Sequence, residues 1–245
     1  MPNDLTLILC IPGQWKDRFE IIKSLTLSNP EYILAGPTLL HTPTNDSFEV
    51  DIYEFDDRMR AAFEIAGDGR LSDTELDLID KHTFTVYVIG KAGGLEEAEK
   101  IMNAGQAFLK AGGLGIKVES SGKAFSKEQW AEFIQSESEG KYYEVFVDLV
   151  QDDDIIYSCG MHNLGLHDTI CELHDDNIEE ATELVGVFNF YQLIDKPKIT
   201  SGQTFGVTKD APRYTIIEED CTFYEEDDFF YNPFGMYHLK LNDIQ

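Results

Sequence analysis

Basic residues are scarce in this chain: 19 lysines and arginines stand against 46 aspartates and glutamates over 245 residues, a formal charge of -27. Acid in such excess repels phosphate backbones and anionic lipid at ordinary salt, which argues against nucleic acid and membrane as partners. A basic protein or a cation fits better, although the same acid also serves to keep a cytoplasmic protein in solution. Cysteine is sparse too. Cys10, Cys159, Cys171 and Cys221 lie far apart with no CxxC pair, so a reduced, cytoplasmic protein is expected rather than a disulfide framework. Long apolar runs are missing: Leu5 to Ile11 is too short to span a bilayer, and Met1-Pro-Asn-Asp-Leu5 lacks the basic region of a signal peptide. GxGxxG, GKS or GKT, GxSxG, HExxH and HRD are all missing, so no catalytic residue and no cofactor is assigned.

What is present is core material. Hydrophobic residues make up 42% of the chain, with 16 Phe and 11 Tyr, far too many for a disordered polymer. Leu5 to Ile11 reads as a strand buried on both faces. A helix between Gln14 and Leu27 follows, its apolar stripe marked by Trp15, Phe19, Ile22 and Leu25 or Thr26. Glu31 to Leu40 is apolar and broken at Gly36-Pro37, and Ser47 to Phe55 alternates apolar with acidic residues, a strand with one wet face. A helix is expected over 57–66. Gly67 to Leu76 carries part of a calcium-loop pattern, but the register puts Ala66 where an oxygen ligand is needed. A turn at Asp68-Gly69 followed by a Ser72–Glu75 capping box accounts for it better.

Phe84 to Ile89, Leu95 to Lys110 and Gly115 to Glu119 read as a β-α-β unit, which ordinarily joins parallel strands. The glycines at 90, 93 and 94 are loop glycines. Ser126 with Gln129 signals another capping box, ahead of a stripe of Trp130, Phe133 and Ile134. Glu137 to Lys141 reads as a linker and Tyr142 to Val150 as a strand, turning at Asp152-Asp153-Asp154 into a strand from Ile155 to Ser158. Gly160 and Gly165 bracket a tight turn before a strand over 166–173. A helix capped by Asp175, Asp176 or Asn177 then runs to Lys196, its buried face marked by Ile178, Ala181, Leu184 or Val185, Phe188 and Tyr191 or Gln192. Arg213 to Glu218 is a strand, and Tyr237 to Leu241 a closing edge strand.

The turn and strand around 155–175 gather side chains of metal-ligand type: His162, His167, Asp168, Cys171 and His174. Alternation with period two puts His167 and Cys171 on one side and Asp168 and His174 on the other, which opposes a tetrahedral set. Surface histidines beside a buried cysteine are the plainer expectation, and no metal is assigned. A Cys/His nucleophile there needs a lowered thiol pKa, which acidic surroundings disfavour. The second candidate is the acidic and aromatic segment from Glu218 to Tyr231. Glu218, Glu219, Asp220, Glu225, Glu226, Asp227 and Asp228 would meet the lysines or arginines of a basic protein, with Tyr224, Phe223, Phe229, Phe230 or Tyr231 as apolar anchors. The plainer alternative is a pair of strands with one solvated face.

Leu9-Cys-Ile-Pro-Gly-Gln-Trp15, Asp57-Arg-Met-Arg-Ala-Ala-Phe63, Gly112 to Gly122, Trp130 and above all Gly160-Met-His-Asn-Leu-Gly-Leu-His-Asp168 with its following helix resemble an uncharacterised bacterial family. It is the domain-of-unknown-function family numbered forty-two sixty-one, and the likeness runs over most of the chain. The resemblance implies an α+β fold without an established activity, found at times near polymorphic-toxin loci, and by analogy an immunity role. It carries over no catalytic residue. The expectation is an α+β fold: a mixed, mainly antiparallel sheet built from β-α-β units, with helices packed mostly on one face. It forms either a single domain over 1–245 or two similar halves, 1–140 and 141–245. The leading function is non-enzymatic binding of a basic partner. A metal-dependent or thiol enzyme and an intracellular accessory or scaffold domain are the alternatives.

Overall fold

A computed structural model describes residues 5–173 and 177–242. Its fold is α+β, with mainly antiparallel sheets, and the chain divides into two compact units, Asp4–Glu137 and Ser138–Gln245.

In the first unit β1 (Thr6–Gly13) leads to α1 (Arg18–Ser28), the hairpin β2 (Tyr32–Ala35) and β3 (Thr38–His41), and β4 (Asp46–Glu54). Helices α2 (Met59–Gly67) and α3 (Asp73–Ile79) precede β5 (Phe84–Lys91), α4 (Leu95–Lys110), β6 (Gly115–Val118), β7 (Lys123–Ser126) and α5 (Lys127–Gln135). The sheet order is β2-β3-β4-β5-β1-β6-β7. Both β5 and β6 run antiparallel to β1. The strands joined through α4 are therefore parallel to each other but not adjacent, because β1 lies between them. That central position explains why Leu7, Leu9, Cys10 and Ile11 are all buried. Both capping boxes form, Ser72 with Glu75 and Ser126 with Gln129.

The phase expected for α1 is wrong by part of a turn. Asp17 caps it by accepting from Glu20 N–H at 2.9 Å, which starts the helix late and buries Ile21 and Leu25 while leaving Phe19 at 72% exposure. Trp15 lies before the helix and donates from Nε1 to the Ala111 carbonyl at 2.8 Å.

The second unit opens with α6 (Gly140–Phe146), where a linker and a strand were expected. Tyr142, Tyr143 and Phe146 suit a strand by propensity, yet their i, i+3 and i, i+4 spacing also makes one helical face, and all three are buried. Burial decides between the two. Then come β8 (Asp148–Asp152), β9 (Ile155–Cys159), a 3₁₀ turn (Met161–Leu164) and β10 (Asp168–Glu172). Helix α7 (Ile178–Phe190) continues as a π-helical turn (Tyr191–Asp195) and is followed by β11 (Thr204–Phe205), β12 (Tyr214–Glu219) and β13 (Met236–Leu241). Asn177 caps α7 by accepting from Glu180 N–H; the expected alternatives Asp175 and Asp176 lie outside the described residues.

The order of this sheet is β11-β12-β13-β10-β9-β8. Strand β13 is thus internal rather than an edge: it pairs antiparallel with β12 and parallel with β10, and its first four residues are buried. Helix α7 covers one face, where Phe188, Leu184 and Val185 pack on Cys171, Ile156, Ile216, Tyr237 and Leu239. Ile178, expected in its buried stripe, is 41% exposed. The other face carries Tyr157, Cys159, Ile170 and Met236, and among the described residues no helix belongs to the cluster on it. Residues 220–235, the connection from β12 to β13, lie over it, with Cys221, Phe223, Tyr224 and Phe230 packed against it.

Candidate functional site

The acidic and aromatic segment is a strap without strands beyond Glu219. Its two ends are in register, Glu219 opposite Met236, so it leaves and re-enters the sheet at one place, the form of an Ω-loop. Gly235 makes the return possible: its φ is +87°, and a Cβ there would lie 2.5 Å from the Glu219 carbonyl oxygen. Aromatic residues fasten the strap inward. Phe223 stacks on Tyr157 with ring centroids 4.6 Å apart and planes 5° from parallel, and Tyr224 meets the Tyr157 hydroxyl at 2.9 Å. Phe223, Tyr224 and Phe230 therefore are not available as anchors for a partner. Phe229, at 55% exposure, is the most exposed aromatic of the segment, and Tyr231, half-buried, stands outside the packed cluster.

The carboxylates point away from the sheet. Glu225, Glu226, Asp227 and Asp228 are exposed on a turn closed by Asp228 N–H donating to the Glu225 carbonyl and Tyr231 N–H donating to the Asp228 carbonyl. At the strap's root, Glu218, Glu219 and Asp220 line a depression of about 410 Å³ together with Ser201 and Phe234. Ser201 is held there as its Oγ accepts from Glu218 N–H at 3.3 Å. Two histidines stand beside these acids. His167 stacks on Tyr237 and lies 3.8 Å from Glu218, while His238 sits 3.4 Å from both Glu172 and Glu219. Burial lowers the pKa of His167, and Glu218 opposes that shift.

The second candidate divides across the sheet. Cys171 belongs to the core under α7, whereas Ile170, next in line to Asp168 on its side of the strand, belongs to the cluster under the strap. His174 lies outside the described residues. Among the described residues no group of three or more His, Cys, Asp or Glu could hold a metal ion. Burial pushes the Cys171 thiol up to about 11, with Glu172 adding to the shift, and it raises Cys159 further. Neither thiol is prepared as a nucleophile.

His162 departs most from expectation. It is buried, at 2% exposure, instead of lying on the surface. Gly160 and Gly165, at φ +113° and +77°, hold the 3₁₀ turn that carries it. Burial lowers its pKa to about 4, with the Phe229 backbone opposing the shift, and Nδ1 has no hydrogen-bond partner among the described residues. Asp168 is buried as well and receives three donors. Its Oδ1 accepts from Ser158 Oγ and from Met161 N–H, both at 3.1 Å, and its Oδ2 from Asn232 Nδ2 at 2.6 Å. Desolvation outweighs those bonds and pushes its pKa up to about 7.

On the opposite face a polar network ties α7 to β10. Thr169 Oγ1 donates to Asn189 Oδ1 at 2.6 Å, and Gln192 Nε2 donates to Thr169 Oγ1 and to the His167 carbonyl, each at 3.2 Å. Sequence reading passed over Ser158, Thr169, Asn189 and Asn232; of this network it marked Gln192 alone, as an alternative to Tyr191 in the buried stripe of α7.

These features define an α+β protein with an acidic, strapped sheet face. No family model, curated protein or solved structure matches the chain. Among the described residues no helix is long and apolar enough to cross a membrane.

Proposed function

We propose that this chain is a non-enzymatic, cytoplasmic binding protein whose second unit receives a basic protein through its acidic strap, in the manner of a toxin-immunity protein. We also propose that it belongs to the domain-of-unknown-function family numbered forty-two sixty-one. The observation that carries the binding reading is the gathering of Glu218, Glu219 and Asp220 around one depression, where scattered surface acid would serve only solvation. The exposed row Glu225 to Asp228 widens the negative surface, and Phe229 supplies an apolar contact within it. Carboxylates so arranged speed and orient the approach of a cationic partner.

Calorimetry with an arginine-rich peptide, at low and moderate salt, tests the reading. Binding should weaken as salt rises, and the triple variant Glu218→Gln, Glu219→Gln, Asp220→Asn should bind about tenfold or more weakly. Absent or salt-insensitive binding, or an unaffected triple variant, would overturn it.

A further inference from the structure

The sheet of the second unit ends in a strand with one side unpaired. Strand β8 is outermost and pairs with β9 alone. The phase of the ladder fixes which of its backbone groups are taken. Leu173 N–H donates to the Asp154 carbonyl at 2.7 Å, so Ile156 turns its backbone groups toward β10, and Ile155 and Tyr157 turn theirs toward β8. Asp148, Val150 and Asp152 are in register with Cys159, Tyr157 and Ile155 and therefore face β9. The N–H and C=O groups of Leu149 and Gln151 point off the edge, and among the described residues nothing outside the sheet takes them up. The other edges are blunted. Strand β11 has two residues, β7 is buried along its length, and in β2 the Tyr32 N–H is spent on the Asn29 carbonyl.

We infer that β8 is a docking edge for an extended, basic segment of another protein, which joins the sheet as an added antiparallel strand. Val150 packs with the cluster beneath the strap and Leu149 with the core under α7. Asp148, Val150 and Asp152 thus share one face, and Leu149 and Gln151 the other. A docked strand makes its hydrogen-bonded pairs with Leu149 and Gln151. Asp148, Val150 and Asp152 then occupy the non-hydrogen-bonded pairs, where opposing side chains come closest. The strand that fits carries lysine or arginine opposite Asp148 and Asp152 and a β-branched apolar residue opposite Val150. Asp153 and Asp154, exposed at the turn, carry the negative charge past its end. The same charge disfavours a second copy of this chain, because two β8 strands paired about Val150 set Asp148 of each against Asp152 of the other. Strands β13, β10 and β9 separate this edge from β12 and its acidic depression, so this inference and the binding proposal fail separately.

A peptide with Lys-Thr-Val-Thr-Lys at its centre, added to the full chain, tests it by amide exchange read residue by residue in NMR. At saturation, exchange of the Leu149 and Gln151 N–H groups should slow by about tenfold or more, and a Glu-Thr-Val-Thr-Glu peptide should slow neither. Gln151→Pro removes an N–H that the ladder does not use, so the urea midpoint should hold while the basic peptide binds about tenfold or more weakly. Asp148→Lys combined with Asp152→Lys should reverse the preference between the two peptides, and this variant decides if Gln151→Pro fails to fold. The triple variant at Glu218, Glu219 and Asp220 should leave the slowing in place; its loss there would move the peptide to the strap and overturn the inference. Unslowed exchange at Leu149 and Gln151 would also overturn it, leaving the aspartates as a guard against pairing. So would slow exchange there without peptide in a protein that sediments as a dimer.

Discussion

The hydroxyls of Tyr157 and Tyr224 meet at 2.9 Å, joining the middle of β9 to the underside of the strap. Each ring is also packed in the apolar cluster between them, so the bond works where water has little access. Tyr224→Phe keeps the ring and removes the hydroxyl. It should cost about 1 kcal/mol by chemical denaturation and raise exchange within 220–235 more than in α7. Equal loosening of both regions would show that the bond is not local to the strap.

Phe229 and Phe230 are neighbours with opposite duties. Phe230 packs under the strap beside Tyr224, ring centroids 5.4 Å apart, while Phe229 is more than half exposed. Phe230→Ala should cost about 2–3 kcal/mol of stability. Phe229→Ala should leave stability within about 0.5 kcal/mol yet weaken binding of the arginine-rich peptide. A Phe229→Ala protein that binds unchanged would remove this ring from the contact surface.

Gly160 enters the 3₁₀ turn at φ +113°, and a Cβ there would stand 2.1 Å from the Phe146 carbonyl oxygen. Neither the backbone angle nor the space admits a methyl group. Gly160→Ala should destabilise the second unit by about 3 kcal/mol or more, measured by thermal or urea unfolding. Gly186→Ala is the contrast: it sits inside α7 with nothing within 4 Å of an added Cβ, and it should be neutral or stabilising by up to about 1 kcal/mol.

The thiols should separate by burial. Cys10, Cys159 and Cys171 are buried and Cys221 is half-buried. Desolvation pushes Cys10 from 9.0 up to about 12, which leaves about a thousandfold less thiolate at pH 8 than a free thiol carries. In the folded protein at pH 8 a maleimide should label Cys221 first and Cys10 hardly at all, and all four in denaturant. Rapid native labelling of Cys10 would contradict the buried position of β1.

Asn189 holds Thr169 and Gln192 together beneath α7. Asn189→Leu should cost about 2–4 kcal/mol, since it takes the acceptor from the buried Thr169 hydroxyl and the donor from the buried Tyr143 hydroxyl and puts a branched side chain into a fully buried site. Adding Thr169→Val to it should cost less than the sum of the two single changes in a double-mutant cycle.

Much of this architecture was legible in the sequence because local rules decide it. Leu95 to Lys110 is a helix with the expected bounds, and Ser72 with Glu75 and Ser126 with Gln129 cap as their spacing requires. Where distant packing decides, the reading failed. Tyr142 to Phe146 satisfies strand propensity and helical spacing alike, and only the buried side chooses. Tyr237 to Leu241 looked like an edge because its partner β10 is remote in sequence. The inward turn of Phe223, Tyr224 and Phe230 depends on where the strap crosses the sheet, and alternation in an irregular segment carries no such information. At the candidate site the carboxylates of 218–228 were legible by composition. The burial of His162 was not, because Gly160 and Gly165 announce the turn that carries it but not that all of Met161 to Leu164 is buried.

The parallel pairing of β10 with β13 also sets an order of events during synthesis. Hairpins β8–β9 and β9–β10 can close as soon as they are made, since each links neighbours in sequence. The middle seam of the sheet cannot close until Leu239 has emerged to face Cys171. Until then β10 offers an open, apolar margin to any other chain nearby, and contacts so far apart in sequence are slow to form. The nascent second unit should therefore be most vulnerable to misassembly in the interval between translation of α7 and translation of β13.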